Sequence, residues 1–137
     1  MTLQTEFRLS PRRRGCHLIT REIVSHLPSP MPRVGLLHVF VKHTSCALTI
    51  NENADPDVLT DLDAILDHVV PDSEPYYCHT MEGPDDMSAH GKSTLAGVSL
   101  TIPVTDGRLN LGRWQGIYLC EFRDHATART IVLTVIS

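Results

Sequence analysis

The chain lacks any apolar run long enough to cross a bilayer. Its longest apolar stretches, such as residues 36–41, fall well short of the ~20 residues that a transmembrane helix needs. The N-terminal residues also lack the apolar centre of a secretory signal. We therefore expect a cytoplasmic protein with no membrane partner.

Cysteine pairs of the C-x-x-C type are also missing. The four cysteines are separated by 30, 32 and 42 residues, at Cys16, Cys46, Cys78 and Cys120. This spacing fits neither a zinc ribbon nor a small secreted disulfide framework. We expect the cysteines to be reduced and mostly buried.

Positive charge is scarce. The formal net charge is -4, and Arg12, Arg13 and Arg14 form the one basic cluster, with no aromatic residues interleaved. Nucleic-acid-binding proteins usually carry a concentrated excess of Lys and Arg. The charge balance therefore argues against a nucleic-acid partner, and the triplet is predicted to be a solvated turn.

What the sequence does contain is the composition of a globular domain. The 137 residues are 42% hydrophobic and 20% charged, which is near the average of folded proteins. A chain of this length buries about two-thirds of its unfolded surface, enough for one core. Residues 1–137 are therefore predicted to form a single domain.

The first half of the chain predicts strands followed by helices. Residues 3–9 alternate as a strand does, and a short helix capped by Thr20 ends at the proline cluster that begins with Pro28. Residues 36–50 predict one or two strands, with His43 at the end of an apolar stripe. A longer helix follows, with Asp55 as cap and Pro56 at its first position.

The two faces of that longer helix differ in polarity. Val58, Leu62, Ile65 and Val69 recur at helical spacing and are predicted to face the core. The opposite side carries acidic residues that are predicted to be solvated: Asp57, Asp61 and Asp67.

The second half predicts an antiparallel sheet. Residues 73–84 form a loop, residues 85–95 a short helix weakened by Gly91, and Gly97 its stop. Turn residues separate four predicted strands at residues 98–105, 108–111, 114–123 and 130–136. The fold class is therefore α+β: a largely antiparallel sheet or sandwich with two or three short helices.

Histidines provide the first candidate site. Of the eight in the chain, His43, His79 and His90 are surrounded by hydroxyl, carboxylate or small residues that could orient an imidazole. Asp86 and His90 are four residues apart, so they share one face of a helix. The spacing of the three histidines matches no compact ligand motif, so only the fold could bring them together.

A polar loop at residues 51–57 provides the second candidate. Asn53 and Asp55 can turn and cap the chain, whereas Glu52 has no such local function. Loops between a buried strand and a helix often carry function. Glu52 is therefore the best candidate for a catalytic carboxylate.

Three segments of the sequence resemble one known family. They read HTSCALTINENADPDV from His43, HTMEGPDDMSAHGKSTLAG from His79 and SLTIPVTDGRLNLGRWQGIYLCEFRD from Ser99. They are similar to the YjbQ-like family, also described as secondary thiamine-phosphate synthase enzymes. Cys46, Gly91 and Asp106 depart from the usual family residues, and these departures concern local packing.

The resemblance implies a trimer of compact α+β subunits with a histidine metal site near the subunit boundary. His43, His79 and His90 match the family's histidines and are the expected metal ligands. The polar positions around them are matched by Glu52, Asn53, Asp86 and Lys92. The resemblance also implies low-level thiamine-phosphate synthase activity, and with it a small phosphorylated metabolite as partner.

That reaction joins a hydroxymethylpyrimidine diphosphate to a thiazole phosphate and releases diphosphate. Cationic side chains would stabilise the leaving group, and the available cations are Lys92, Arg108 and Arg123. With Asn53, they are the predicted substrate-binding residues. The expected cofactor is a divalent metal.

Two further functions stay open. Three imidazoles favour zinc, whereas diphosphate chemistry usually uses magnesium held by oxygen ligands. A zinc site with an open position instead suits hydrolysis, with Glu52 or Asp86 as general base. The third function is non-catalytic: a trimer that binds a metal or a phosphorylated metabolite.

Overall fold

The computed structural model describes residues 1–137, which form eight strands and three helices. The strands are β1 (Thr2–Leu9), β2 (Gly15–Leu18), β3 (Val34–Val41), β4 (Cys46–Glu52), β5 (Ser99–Thr105), β6 (Arg108–Leu109), β7 (Gln115–Glu121) and β8 (Arg129–Ile136). The helices are α1 (Thr20–Ser25), α2 (Pro56–Val69) and α3 (Asp86–Ala96). None of the helices has the length and apolar character needed to span a membrane.

The strands form two antiparallel sheets. The larger sheet has the order β1-β8-β3-β5-β6, and the smaller has the order β2-β7-β4. One cluster of 16 buried apolar residues includes side chains from both sheets, for example Leu133 of β8 and Leu119 of β7. The predicted α+β class with a largely antiparallel sheet is confirmed.

The chain crosses between the two sheets six times, and two of these connections lie near the histidines considered below. Residues 42–45 link β3 of the larger sheet to β4 of the smaller, and residues 122–128 link β7 to β8. In β3, Leu37, Val39 and Val41 are buried while Leu36 and Phe40 are exposed, as the alternation predicts. The β3–β4 connection therefore begins directly after the buried Val41.

Helix α2 begins where its capping residues predict. The Asp55 side chain accepts a hydrogen bond from the Asp57 backbone N–H at 2.9 Å, and Pro56 is the first helical residue. The predicted apolar face is wrong in part, because Ile65 and Val69 are 55% and 58% exposed. The helix turns a different side inward.

The inner side of α2 carries Leu62, Leu66 and one of the aspartates predicted to be solvated. Leu66 packs on a second buried cluster, and Asp67 forms ion pairs with Arg14 and Lys92. Asp67 therefore faces the protein because two cations lie beneath it. Arg14 also binds Asp72 at 2.9 Å, so this arginine is an anchor rather than part of a solvated turn.

Two other local predictions need correction. Thr20 does not cap α1: its hydroxyl accepts a hydrogen bond from the Ile117 N–H at 2.9 Å and ties the helix to β7. Gly91 does not merely weaken α3, since a Cβ there would lie 2.8 Å from Val70 Cγ1. The missing side chain lets α3 lie close to the end of α2.

Candidate functional site

Helix α3 and the loop before it bring two histidines to one carboxylate. Asp86 and His90 share a face of α3, and Asp86 Oδ2 lies 3.1 Å from His90 Nε2. The same oxygen lies 2.6 Å from Nε2 of His79, which belongs to the loop. One ligand atom from each residue lies within 4.8 Å of the other two. We call His79, Asp86 and His90 the triad.

The Asp86 carboxylate is buried but stays ionised. Burial alone would raise its pKa, yet its hydrogen bond with His79 and the nearby charges of His90 and Arg123 outweigh burial and lower the pKa. Arg123 donates to Asp86 Oδ1 from Nη1 and to Asp85 Oδ2 from Nε. Oδ2 is thus left to face the histidines.

The hydrogen bonds of His90 conflict in its neutral form. Its Nδ1 lies 2.7 Å from the backbone oxygen of Thr44, so Nδ1 carries a proton and donates it. A neutral imidazole has only one N–H, which leaves Nε2 with a lone pair directed at the Asp86 carboxylate. Two acceptors at 3.1 Å repel each other unless a proton or a metal ion lies between them.

His43 lies beside the triad and outside it. Its Nε2 accepts a hydrogen bond from the Thr130 backbone N–H at 2.8 Å, so in the neutral ring Nδ1 carries the proton. Burial lowers the pKa of His43, and the charges of Arg129 and Lys42 lower it further. The structure therefore supplies His43 as a neutral N–H donor beside the triad.

Two cavities flank the triad. A cavity of about 530 Å³ is lined by His43 and His90 together with Lys42, Thr44 and Thr94. A second, of about 370 Å³, lies against His79 on the side of Tyr77 and Met87. A small molecule could therefore reach the triad from the His43 side or from the loop side.

A buried ion pair between Arg129 and Glu121 supports the segment next to the site, and the sequence did not predict it. Arg129 Nε donates to Glu121 Oε1 at 2.7 Å, and Arg129 Nη2 donates to the Ser45 hydroxyl at 3.0 Å. Glu121 is fully buried and Arg129 is 5% exposed. Charged residues at the ends of otherwise apolar strands were the available signal.

That ion pair completes the support of the β3–β4 connection. His43 is held by Thr130, Thr44 by His90, and Ser45 by Arg129. Three successive residues are therefore fixed by β8 and α3. The position of the His90 ring depends on this segment.

Glu52 and Asn53 lie at the far end of β4. Glu52 is six residue steps along the extended strand from Cys46, which is about 20 Å at ~3.3 Å per residue. Glu52 Oε2 accepts from the Asp55 N–H at 3.1 Å, and Asn53 Nδ2 donates to the Gln115 oxygen at 3.3 Å. Contrary to expectation, Glu52 has a local structural partner, and within one subunit neither residue reaches the triad.

The three predicted cations have separate environments. Lys92 is 1% exposed, pairs with Asp67 and lies 5.5 Å above the Phe122 ring, beneath α2. Arg123 is bound to the triad through Asp86. Arg108 is exposed at the β5–β6 hairpin and lines a different cavity. Only Arg123 is joined to the histidine group.

Comparisons with known proteins point to one family. The family model described as UPF0047 protein YjbQ-like matches residues 5–137. The UPF0047 protein YjbQ of Escherichia coli O157:H7 is 47% identical over 137 residues and the match covers 98% of each chain. The UPF0047 protein YugU of Bacillus subtilis is 44% identical over 104 residues, which is 76% of each chain.

Solved structures give the same result. A conserved hypothetical protein from Thermus thermophilus has a TM-score of 0.81 at 38% identity, with 93% of this chain and 97% of that chain covered. A YbjQ-like protein of unknown function from Sulfolobus solfataricus has a TM-score of 0.87 at 23% identity, covering 98% and 96%. The second likeness concerns the fold alone.

Proposed function

This chain belongs to the UPF0047 protein YjbQ-like family, and from that premise we propose that it is a metal-binding enzyme acting on a small phosphorylated metabolite. His79, Asp86 and His90 hold a divalent ion, with zinc preferred over magnesium because two of the three ligands are imidazoles. Two histidines and one carboxylate form a known catalytic zinc set that leaves a position open.

One observation carries the metal proposal. His90 Nε2 and the ionised Oδ2 of Asp86 face each other at 3.1 Å, and in the neutral ring, whose proton Thr44 holds at Nδ1, both atoms are acceptors. A cation between them removes the repulsion.

The reaction that the family resemblance favours is thiamine-phosphate synthesis. The metal would supply Lewis-acid stabilisation of the diphosphate that leaves. The cavity on the His43 side supports this proposal, because Lys42 and the His43 Nδ1–H can bind phosphate oxygens there. Arg123 holds the Asp86 carboxylate through an ion pair, and Lys92 joins α3 to α2 through its ion pair with Asp67.

Metal-dependent hydrolysis is the second candidate. It needs a carboxylate base beside the metal, but Asp86 is a ligand in this proposal and Glu52 lies at the far end of β4. Hydrolysis would therefore require Glu52 of another subunit. The open coordination position is the feature that favours it.

We further propose that the chain forms a homotrimer. The outer face of the larger sheet exposes Leu36, Phe40 and Ile136 at 46%, 39% and 49%. Ile65 and Val69 of α2 are exposed as well. Apolar surfaces of this kind on neighbouring strands and a helix are typical of faces that another subunit covers.

Metal analysis combined with native mass spectrometry tests both proposals. Chelator-treated protein should take up one zinc ion per chain and far less magnesium, and its native mass should be that of three chains. His90→Ala and Asp86→Asn should lose the zinc. Their zinc affinity should fall by more than the ~10–100-fold typical of mutating a residue that only hydrogen-bonds to a metal ligand. His68→Ala, on the exposed side of α2, is the matched control and should keep it.

Activity measurements then separate the reactions. Zinc-loaded protein given both substrates should form thiamine phosphate and diphosphate, which phosphorus NMR detects. His43→Ala should slow this turnover while the zinc remains bound, because His43 lies outside the triad. Wild-type protein that binds no divalent ion would refute the site, and metal binding with no turnover of phosphate or diphosphate compounds would favour the binding protein.

A further inference from the structure

Two cysteines from different parts of the chain place their sulfur atoms in contact. Cys16 Sγ and Cys120 Sγ lie 3.4 Å apart, although 104 residues separate them. Cys16 of β2 is partly exposed and Cys120 of β7 is buried, and the two are direct partners in the ladder. Neither residue belongs to the triad or to the cavities beside it.

The register of the strands sets the distance between their backbones. The Ile19 N–H donates to the Ile117 oxygen at 2.8 Å, so Ile19 and Ile117 form a hydrogen-bonded pair. Because such pairs alternate with non-hydrogen-bonded pairs, Cys16 and Cys120 form one of the latter. Their Cα atoms are then about 4.5 Å apart, within the ~4.4–6.8 Å that a disulfide spans.

We propose that Cys16 and Cys120 form a reversible intrachain disulfide when the protein meets a hydroperoxide. The Cys16 thiolate attacks a peroxide oxygen, the O–O bond breaks and hydroxide or alkoxide leaves, which gives a sulfenic acid at Cys16. The Cys120 sulfur then attacks the Cys16 sulfur. The S–S bond forms, the S–O bond breaks, and the departing hydroxide takes the Cys120 proton as water.

The two thiols differ in the way this order requires. The hydrogen bond with Cys120 lowers the pKa of Cys16, and burial only partly opposes this effect. The same hydrogen bond, together with burial, raises the pKa of Cys120. Cys16 is therefore the thiol that reacts with the oxidant, and it is also the more exposed of the two.

The surroundings favour an internal bond over other products. The thiols pack in the second buried cluster, between the smaller sheet and the helices, against Ala47, Ala89 and Leu66. A second protein molecule cannot reach Cys120 there, whereas Cys120 already touches Cys16.

The test uses the full-length protein, hydrogen peroxide and mass spectrometry. After oxidation and denaturation, wild-type protein should accept two thiol-alkylating labels in place of the four it accepts when reduced, and should be lighter by two hydrogen atoms. Peptide mapping should join Cys16 to Cys120 in a monomeric chain, and dithiothreitol should restore all four thiols. The closed loop should also raise the Tm by several degrees.

Variants check the assignment. Cys16→Ser and Cys120→Ala should each abolish the cross-link, while Cys46→Ser and Cys78→Ser should keep it. Peptide mapping of the wild type decides the matter even if a buried variant fails to fold. Four free thiols after oxidation, dimers linked through Cys78, or sulfinic acid at Cys16 without a cross-link would each overturn the proposal.

Discussion

Arg129→Met is the sharpest test of how the site is supported. The substitution leaves the Glu121 carboxylate, 0% exposed, without its ionic partner, and frees Ser45 from Nη2. Breaking a buried pair on one side typically costs about 3–5 kcal/mol, because an uncompensated charge stays in the interior. That is a large part of the ~5–15 kcal/mol that stabilises a typical domain.

Urea unfolding followed by circular dichroism measures this loss. The unfolding midpoint should fall with an unchanged m-value, and the Tm should drop by about 10–20 °C. The double variant Glu121→Leu with Arg129→Met should recover most of the stability, because no buried charge remains.

The matched control is Arg12→Met, which breaks the partly exposed pair with Glu22 at 3.2 Å and should cost at most about 1 kcal/mol. An Arg129→Met loss no larger than the Arg12→Met loss would refute the reasoning. A double variant as unstable as the single one would refute it as well.

Two further predictions concern packing and pH. Gly91→Ala places a Cβ 2.8 Å from Val70 Cγ1 and should cost about 1–3 kcal/mol of stability by overpacking, although alanine is the better helix former. Adding Val70→Ala should relieve the clash. A Gly91→Ala variant as stable as wild type in urea would contradict the close contact. The hydrogen bond and charge of Arg14 lower the pKa of Asp72, although burial opposes them. Burial would raise the pKa of Asp67, but the hydrogen bonds and charges of Lys92 and Arg14 outweigh burial and lower it. Both groups therefore stabilise the fold above the unfolded pKa of ~3.9, and this contribution is lost as pH falls through the lowered folded values. Urea unfolding between pH 6 and pH 2.5, roughly the range around these values, should show the loss, and Asp72→Asn should flatten the curve.

Local sequence patterns predicted most of the strands and helices. Asp55 and Pro56 set the start of α2 because capping depends on neighbouring residues alone. The inward side of that helix could not be predicted in the same way. Ile65 and Val69 are apolar yet exposed, while Asp67 faces two cations that arrive from other parts of the chain.

The candidate site likewise combines residues that local spacing predicts with residues that only the tertiary fold brings into place. The pairing of Asp86 with His90 follows from their spacing on one helix, and the structure has it. The position of His79 depends on how a loop folds back, and that of His43 on a bond with β8. Glu52 has no evident partner in the sequence, because the backbone N–H from which it accepts becomes available only when the turn forms.

The segment from His43 to Ser45 crosses between the two sheets, and each of its residues is held by a different partner. A ligand bound at His90 would therefore stabilise the segment that connects the two sheets, although the ligand lies outside the core. By mass action, occupancy at one hundred times Kd would add about 2.7 kcal/mol against any motion that parts the sheets and disrupts the site. Opening of the sheets and release of the ligand would then be one event, and hydrogen exchange of the Thr130 amide would report on both.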